Sequence, residues 1–453
     1  MPHILMSIFS NFWHHSWDGL MQTSIITGWL PVLVEVITLV AFALSIDWRS
    51  PRARKLLGAG AGGAAVLSAL VTFFLRVTHL TPAGFSLWPS VWAAVTATAV
   101  WMAVMMRPVF SRRRHVLSIS AVVLTLVCTL GSINASTQTF VTVSRLLHGQ
   151  SQGVFHLVGI EQMQAQVART GVLPKHGQLF ITTIPPTVSG FQTRNAYVWL
   201  PPVWFKSPTP SLPAIVLLPG EPGSAADWSS SGDADVTANA FAAQHGGVAP
   251  ILIMPDPNGV KTVDSECVNS QFGNAETYLA VDVPAYAHNQ LNVSTAPGSL
   301  AIAGLSAGGT CSSILALNYP KLYRTFASYS GFATPQYMDD TEQQTIDILF
   351  GGSRQAFNQH SPLYLLEHPI PDYEGLGVWY ASGTDDPATA AAARQLQPEA
   401  VKIGVATCIA IQPGGHDFAF WSQAFTDSLP WLSWRIGLTP KPASVAPATC
   451  DYP

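Results

Sequence analysis

Apolar residues follow two regimes along this chain. Over the first third they form four uninterrupted runs, at residues 24–46, 56–75, 87–106 and 116–135. Each is long enough for the ~20 residues that cross a bilayer, and the runs have almost no polar face. Beyond residue 177 the apolar runs are much shorter and alternate with helical patterns. Residues 214–218, 251–254, 301–303, 325–331, 377–381 and 407–411 each read as a strand. Near-continuous apolar strands separated by helical segments predict a largely parallel sheet with helices on both faces. Residues 177–184 and 195–200, each ended by a proline pair, read as antiparallel strands that open the sheet. Between the two regimes the pattern is mixed and polar, with one helix-like piece at residues 160–169.

This pattern divides the chain into a four-span transmembrane domain (1–136), a juxtamembrane linker (137–176), an α/β domain (177–440) and a C-terminal tail (441–453). Composition agrees with the division. Only 11% of the 453 residues are charged, too few for an ordinary soluble protein. The formal net charge of −4 leaves no basic field, so no nucleic-acid partner is expected. No His/Cys cluster has zinc-site spacing, and neither a metal nor another cofactor is expected. The partners expected are the lipid bilayer and a small substrate.

The few basic residues are unevenly placed. Arg49, Arg52, Arg54 and Lys55 lie between the first two spans, and Arg107, Arg112, Arg113 and Arg114 between the last two. The N-terminal segment has none, and the remaining loop has only Arg76. The positive-inside bias puts both basic loops in the cytoplasm, which leaves the N-terminus and the α/β domain outside. A cleavable signal peptide does not fit an N-terminus without Lys or Arg that is followed by several spans. Glu35, beside Pro31 in the first span, is an ionisable residue expected to face the bundle interior. Cys128 lies in an apolar run and reads as a buried thiol. The other four cysteines, Cys267, Cys311, Cys408 and Cys450, all belong to the part placed outside, where disulfides persist. Of three pairings, Cys267–Cys311 with Cys408–Cys450 is favoured, since the first bridge would brace the helix after residue 306.

Candidate chemistry gathers at the ends of the predicted strands. The strand at 301–303 runs into Gly304-Leu305-Ser306-Ala307-Gly308-Gly309 and then a helix. Strand, Gly-x-Ser-x-Gly and helix together make a sharp turn that exposes a nucleophilic serine. Downstream, Ser382-Gly383-Thr384-Asp385-Asp386 follows a strand, and either aspartate can orient a histidine. Gln412-Pro413-Gly414-Gly415-His416-Asp417 follows the last strand, and His416 on its glycine-flanked loop suits a general base.

These motifs, with Ser189-Gly190-Phe191 and Tyr197-Val198-Trp199-Leu200-Pro201, resemble the putative esterase branch of the α/β-hydrolases. That branch holds esterase D, feruloyl esterases, enterobactin-type esterases and mycolyltransferases. The resemblance covers roughly residues 177–438 and implies an α/β-hydrolase fold preceded by the all-α four-helix unit. It implies a Ser306/His416 pair with a carboxylate. The Gly-x-x-Asp spacing of relatives favours Asp386, with Asp385 as the alternate. It also implies an oxyanion hole from the backbone N–H groups of Glu221 and Ala307; Pro222 has no N–H to give. Leu218-Pro219-Gly220 departs from the His-Gly or Asp-Gly of many relatives. Four spans plus an external esterase domain look like membrane-anchored actinobacterial proteins, which implies a cell-envelope ester or acyl-lipid substrate. Three functions follow: a serine esterase, an acyltransferase that passes the acyl group to a sugar or lipid alcohol, or a non-enzymatic envelope protein on a hydrolase scaffold.

Overall fold

The computed structural model describes residues 28–77, 87–109, 111–137, 158–260, 263–338, 340–369 and 372–452, with 23, 25, 26, 143 and 146. The chain divides into two compact units, residues 1–149 and 150–453.

Among the described residues the first unit has four α-helices: α1 (Trp29–Ser45), α2 (Pro51–Val77), α3 (Trp88–Met106) and α4 (Arg112–Thr137). α3 packs on both α2 and α4, and α1 packs on α4. Three of them are long and apolar enough to cross a membrane, over Pro51–Leu75, Trp88–Met106 and Arg112–Ala135. α1 is shorter than the span read at 24–46. It starts at Trp29, because Gly28 holds a left-handed φ of 85° that a helix cannot continue through. Its 17 residues sit at the lower end of what crosses a bilayer, about 17–25. Leu70, Phe73, Val104 and Leu130 are all exposed, an apolar surface that water would not tolerate at this density. Polar side chains are instead paired between helices. The indole N–H groups of Trp88 and Trp92 donate to Glu35 Oε1 at 2.9 and 3.0 Å. Ser68 donates to the Ser90 carbonyl, Thr96 pairs with Thr129, and the Cys128 thiol donates to Thr38.

The second unit opens with α5 (Val158–Thr170), inside the stretch read as linker. Its sheet has nine strands among the described residues. They are β1 (Gln178–Thr182), β2 (Ala196–Leu200), β3 (Ala214–Leu218), β4 (Ile251–Met254), β5 (Leu300–Leu305), β6 (Thr325–Tyr329), β7 (Gly377–Gly383), β8 (Ala406–Gln412) and β9 (Thr449–Asp451), in spatial order β1-β2-β4-β3-β5-β6-β7-β8-β9. The run from β4 to β8 is parallel; β1, β2 and β9 are antiparallel. Period-two alternation sends Val216, Ile302 and Val378 into one core and Leu217, Ala303 and Trp379 into the other. The first core is covered by α7 (Val283–Leu291), α8 (Ala307–Asn318) and α9 (Pro387–Lys402). The second is covered by α6 (Ala234–Gln244) and α10 (Phe418–Arg435). Strands buried on both faces explain why they read as unbroken apolar runs.

β9 lies in the stretch read as a tail. Cys450 sits opposite Cys408 in the β8–β9 register, and the two are bonded. The other bridge is Cys267–Cys311, from the chain after β4 to the first turns of α8. This is the pairing favoured from the sequence.

Candidate active site

Ser306 stands between β5 and α8 with φ 56° and ψ −124°, a backbone that L-residues rarely hold. Three backbone hydrogen bonds fix it: its N–H donates to the Tyr329 carbonyl at 2.8 Å, and its carbonyl accepts from the Gly309 and Thr310 N–H groups at 2.9 and 3.2 Å. The flanking glycines are required by close approach. A Cβ on Gly304 would lie 2.0 Å from the Gly308 carbonyl oxygen, and one on Gly308 would lie 2.4 Å from the carbonyl oxygens of Leu218 and Pro219. Backbone atoms cannot swing away as a side-chain tip can. Gly308→Ala should therefore destabilise the domain by about 3 kcal/mol. A thermal unfolding midpoint equal to that of the parent protein would contradict this packing.

His416 lies between the end of β8 and the start of α10. Its Nε2 is 2.8 Å from Ser306 Oγ, and its Nδ1 is 2.7 Å from Asp386 Oδ2. Trp421 meets the ring edge-on, with centroids 5.0 Å apart, and limits its tilt. Asp386 precedes the first residue of α9 and is 8% exposed. Burial alone would raise its carboxyl. Hydrogen bonds from His416 and from the Thr389 hydroxyl outweigh burial and hold it below the usual carboxylate range. Asp385, the alternate, is exposed, and its N–H donates to the Gly414 carbonyl. It takes no part in the hydrogen-bonded chain that joins Ser306, His416 and Asp386.

Ala307 is the first residue of α8, where a backbone N–H has no partner within the helix. The loop after β3 runs beside the serine: a Cβ on Gly220 would be 3.0 Å from Ser306 Cβ. Glu221 follows on that loop. Its Oε2 accepts a hydrogen bond from Asn258 Nδ2 at 2.5 Å. Asn258 is held by Asp256, whose Oδ1 accepts the N–H groups of Asn258 and Gly259 at 3.0 and 2.9 Å. Arg194 reaches both sides of the loop, donating to the Gly223 carbonyl and to Asp256 Oδ2, each at 2.7 Å. Burial, then the charges of Asp264 and Asp256, push the Glu221 carboxyl up to about 8 against the pull of Arg194. Burial also raises Asp264, to about 6.

The sequence reading named the residues at the serine but not Thr389, Arg194, Asp256 or Asn258. Asp256 and Asn258 carried one legible signal. They follow β4 at the carboxyl edge of a parallel sheet, where ligand sites of such sheets form. Thr389 lies only three residues after Asp386, at the start of the same helix, so its pairing was open to a local reading; Arg194 carried no signal, because its partners are set by tertiary packing. Among the described residues no group of three or more His, Cys, Asp or Glu side chains is arranged to hold a metal ion.

Comparison with known proteins agrees with this architecture. An uncharacterized protein of Corynebacterium glutamicum is 36% identical over 260 residues, which are 56% of this chain and 61% of that protein. The match thus spans about three fifths of that relative's length. A ferulic acid esterase structure superposes with a TM-score of 0.50 at 17% identity, covering 57% of this chain and 98% of its own. At that identity the likeness is one of fold. An S-formylglutathione hydrolase from Agrobacterium tumefaciens superposes with a TM-score of 0.49 at 15% identity, covering 59% of this chain and 98% of its own. Residues 191–432 match the family described as Putative esterase. That segment is more than half of the chain and runs from just before β2 into α10, so the chain belongs to the putative esterase family, on an α/β-hydrolase fold.

Proposed function

We propose that the chain is a membrane-anchored serine esterase whose catalytic domain works outside the cytoplasmic membrane. One observation carries the chemistry: the hydrogen-bonded chain from Ser306 through His416 to Asp386, at 2.8 and 2.7 Å, starting on a strained turn. Ser306 Oγ attacks the ester carbonyl carbon while His416 Nε2 takes its proton. Asp386 accepts the Nδ1 hydrogen, keeps the ring in the tautomer that leaves Nε2 free, and stabilises the imidazolium that forms. Charge that develops on the carbonyl oxygen is met by the backbone N–H groups of Ala307 and Glu221, the first at a helix N-terminus. The tetrahedral intermediate collapses, His416 returns the proton to the departing alcohol, and an acyl-serine remains. Water, deprotonated by His416, attacks the acyl carbon and releases the acid with the serine restored. The His416 side chain is 37% exposed, so water reaches it directly.

Placement rests on two independent supports. Three helices are long and apolar enough to span a membrane; Arg49 and Arg107 precede α2 and α4, and the other basic residues of the two clusters lie at the starts of those helices, where the positive-inside bias wants cytoplasm. The two disulfides of the second unit belong to an oxidising compartment. Intact cells should then hydrolyse a charged, membrane-impermeant carboxylic ester, with the activity sedimenting in the membrane fraction. Activity that appears only after lysis would sink the outside placement, and activity in the soluble fraction would sink the anchoring. Adding an alcohol acceptor and comparing ester product with free acid separates transfer from hydrolysis.

A further inference from the structure

Glu221 does more in this fold than supply a backbone N–H. The loop that carries it has few ways to hold its aim. It enters through Pro219-Gly220, passes within van der Waals reach of Ser306, and leaves through Pro222-Gly223. Three polar ties hold it from outside. Asn258 takes the Glu221 side chain, Arg194 takes the Gly223 carbonyl, and Asp227 Oδ2 accepts the Ser224 N–H at 2.9 Å. Only the first of these acts on the residue whose N–H faces the developing oxyanion.

We propose that the Glu221 side chain, hooked by Asn258, is a positioning residue that aims the first oxyanion donor. This rests on the triad and oxyanion reading above. The surroundings enforce the neutral form. Asp264 and Asp256 face Glu221 from the chain after β4, and Arg194 and a hydrogen bond from the Gly223 backbone oppose them. Arg194 is already committed to Asp256. Tyr337, from the chain after β6, is pushed up by burial and then by Asp264, Asp340 and Glu221, so it is neutral too. With carboxyls on two sides, ionisation of Glu221 adds a further negative charge next to the place where the substrate carbonyl oxygen becomes negative. That charge is repelled most in the transition state, so its effect falls on the rate and not on binding.

The sign follows directly. Glu221 is neutral below about 8 and charged above it. The specificity constant kcat/KM should fall as pH rises through that value, approaching tenfold per pH unit as for a single ionisation.

Three variants and the parent protein, in detergent micelles, test this on a p-nitrophenyl ester. Glu221→Gln keeps an oxygen for Asn258 but cannot ionise, and should move the alkaline fall upward by at least about one pH unit. Glu221→Ala and Asn258→Ala release the hook. Each should lower kcat by about 10- to 100-fold with KM little changed, as expected when a reacting group is misplaced by about 1 Å. Glu221→Gln should recover most of the kcat that Glu221→Ala loses. An alkaline fall at the same pH in Glu221→Gln would overturn the inference. So would equal changes in kcat and KM in the hook-less variants, or no change at all. If the alanine variants do not fold, the pH profile of Glu221→Gln decides alone. Fluorophosphonate labelling of Ser306 in the parent protein separates the two levels. Absent labelling sinks the triad reading beneath, whereas labelling with an unmoved pH profile sinks only the role of Glu221.

Discussion

Ser306→Ala should lower kcat for ester hydrolysis by about 10⁶-fold, with the domain still folded. The loss is large because the side chain is the bond-forming atom, and no neighbour can replace it. Thr310 and Ser312 are buried on α8, with Ser312 Oγ donating to the Gly308 carbonyl and Thr310 Oγ1 accepting from the Phe332 N–H. Neither is free to approach His416. What remains should be a modest rate over water from the two oxyanion donors and from binding. The substitution removes one hydroxyl at a site that is 9% exposed and relieves no packing, so the unfolding midpoint should barely move. Stopped assays on purified protein, with unfolding followed in parallel, measure both quantities. A loss below about tenfold would remove Ser306 from the mechanism.

Asp386→Asn lowers kcat by about 10⁴-fold, whereas Asp385→Asn changes it by less than about twofold. In the parent protein Asp386 Oδ2 accepts from His416 Nδ1 and from the Thr389 hydroxyl, so an acceptor is needed at that point. An asparagine that turns its amide nitrogen toward the ring donates instead, and the ring adopts the tautomer with hydrogen on Nε2. That tautomer cannot take the serine proton. Asp385 is the built-in control, since it is exposed and its backbone alone is engaged, with Gly414. If the two asparagine variants lost activity equally, the carboxylate would act through net charge and not through the 2.7 Å bond.

The two aspartates also mark where sequence reading stops. Neighbours in a turn point in different directions, and composition does not say which way. Gly-x-x-Asp spacing suggested Asp386; the structure gives the physical reason. The Asp385 N–H is used by the Gly414 carbonyl, and the buried Asp386 side chain accepts from His416 and from the Thr389 hydroxyl. The strands were legible because burial on both faces makes them apolar throughout, as in Ala214–Leu218, and so was the turn at Ser306, whose glycines are demanded by backbone contacts. What was not legible depends on partners far apart in sequence. Arg194 meets Asp256 and Asn258 meets Glu221 only once β2, β4 and β3 lie side by side. Thr449–Asp451 is too short and too polar to announce itself as a strand; pairing with β8 and the bridge to Cys408 make it one. At the other end, the apolar run at 24–46 is longer than α1, because hydropathy does not register the positive φ at Gly28.

The central claim is that Ser306 is the nucleophile of this esterase. The most direct measurement is to label membranes carrying the full chain with a fluorophosphonate probe, digest them, and locate the adduct by mass spectrometry. The account predicts a single adduct on the peptide containing Gly304–Gly309, at Ser306, and none in Ser306→Ala. An adduct on another residue, or labelling that persists in Ser306→Ala, would contradict it.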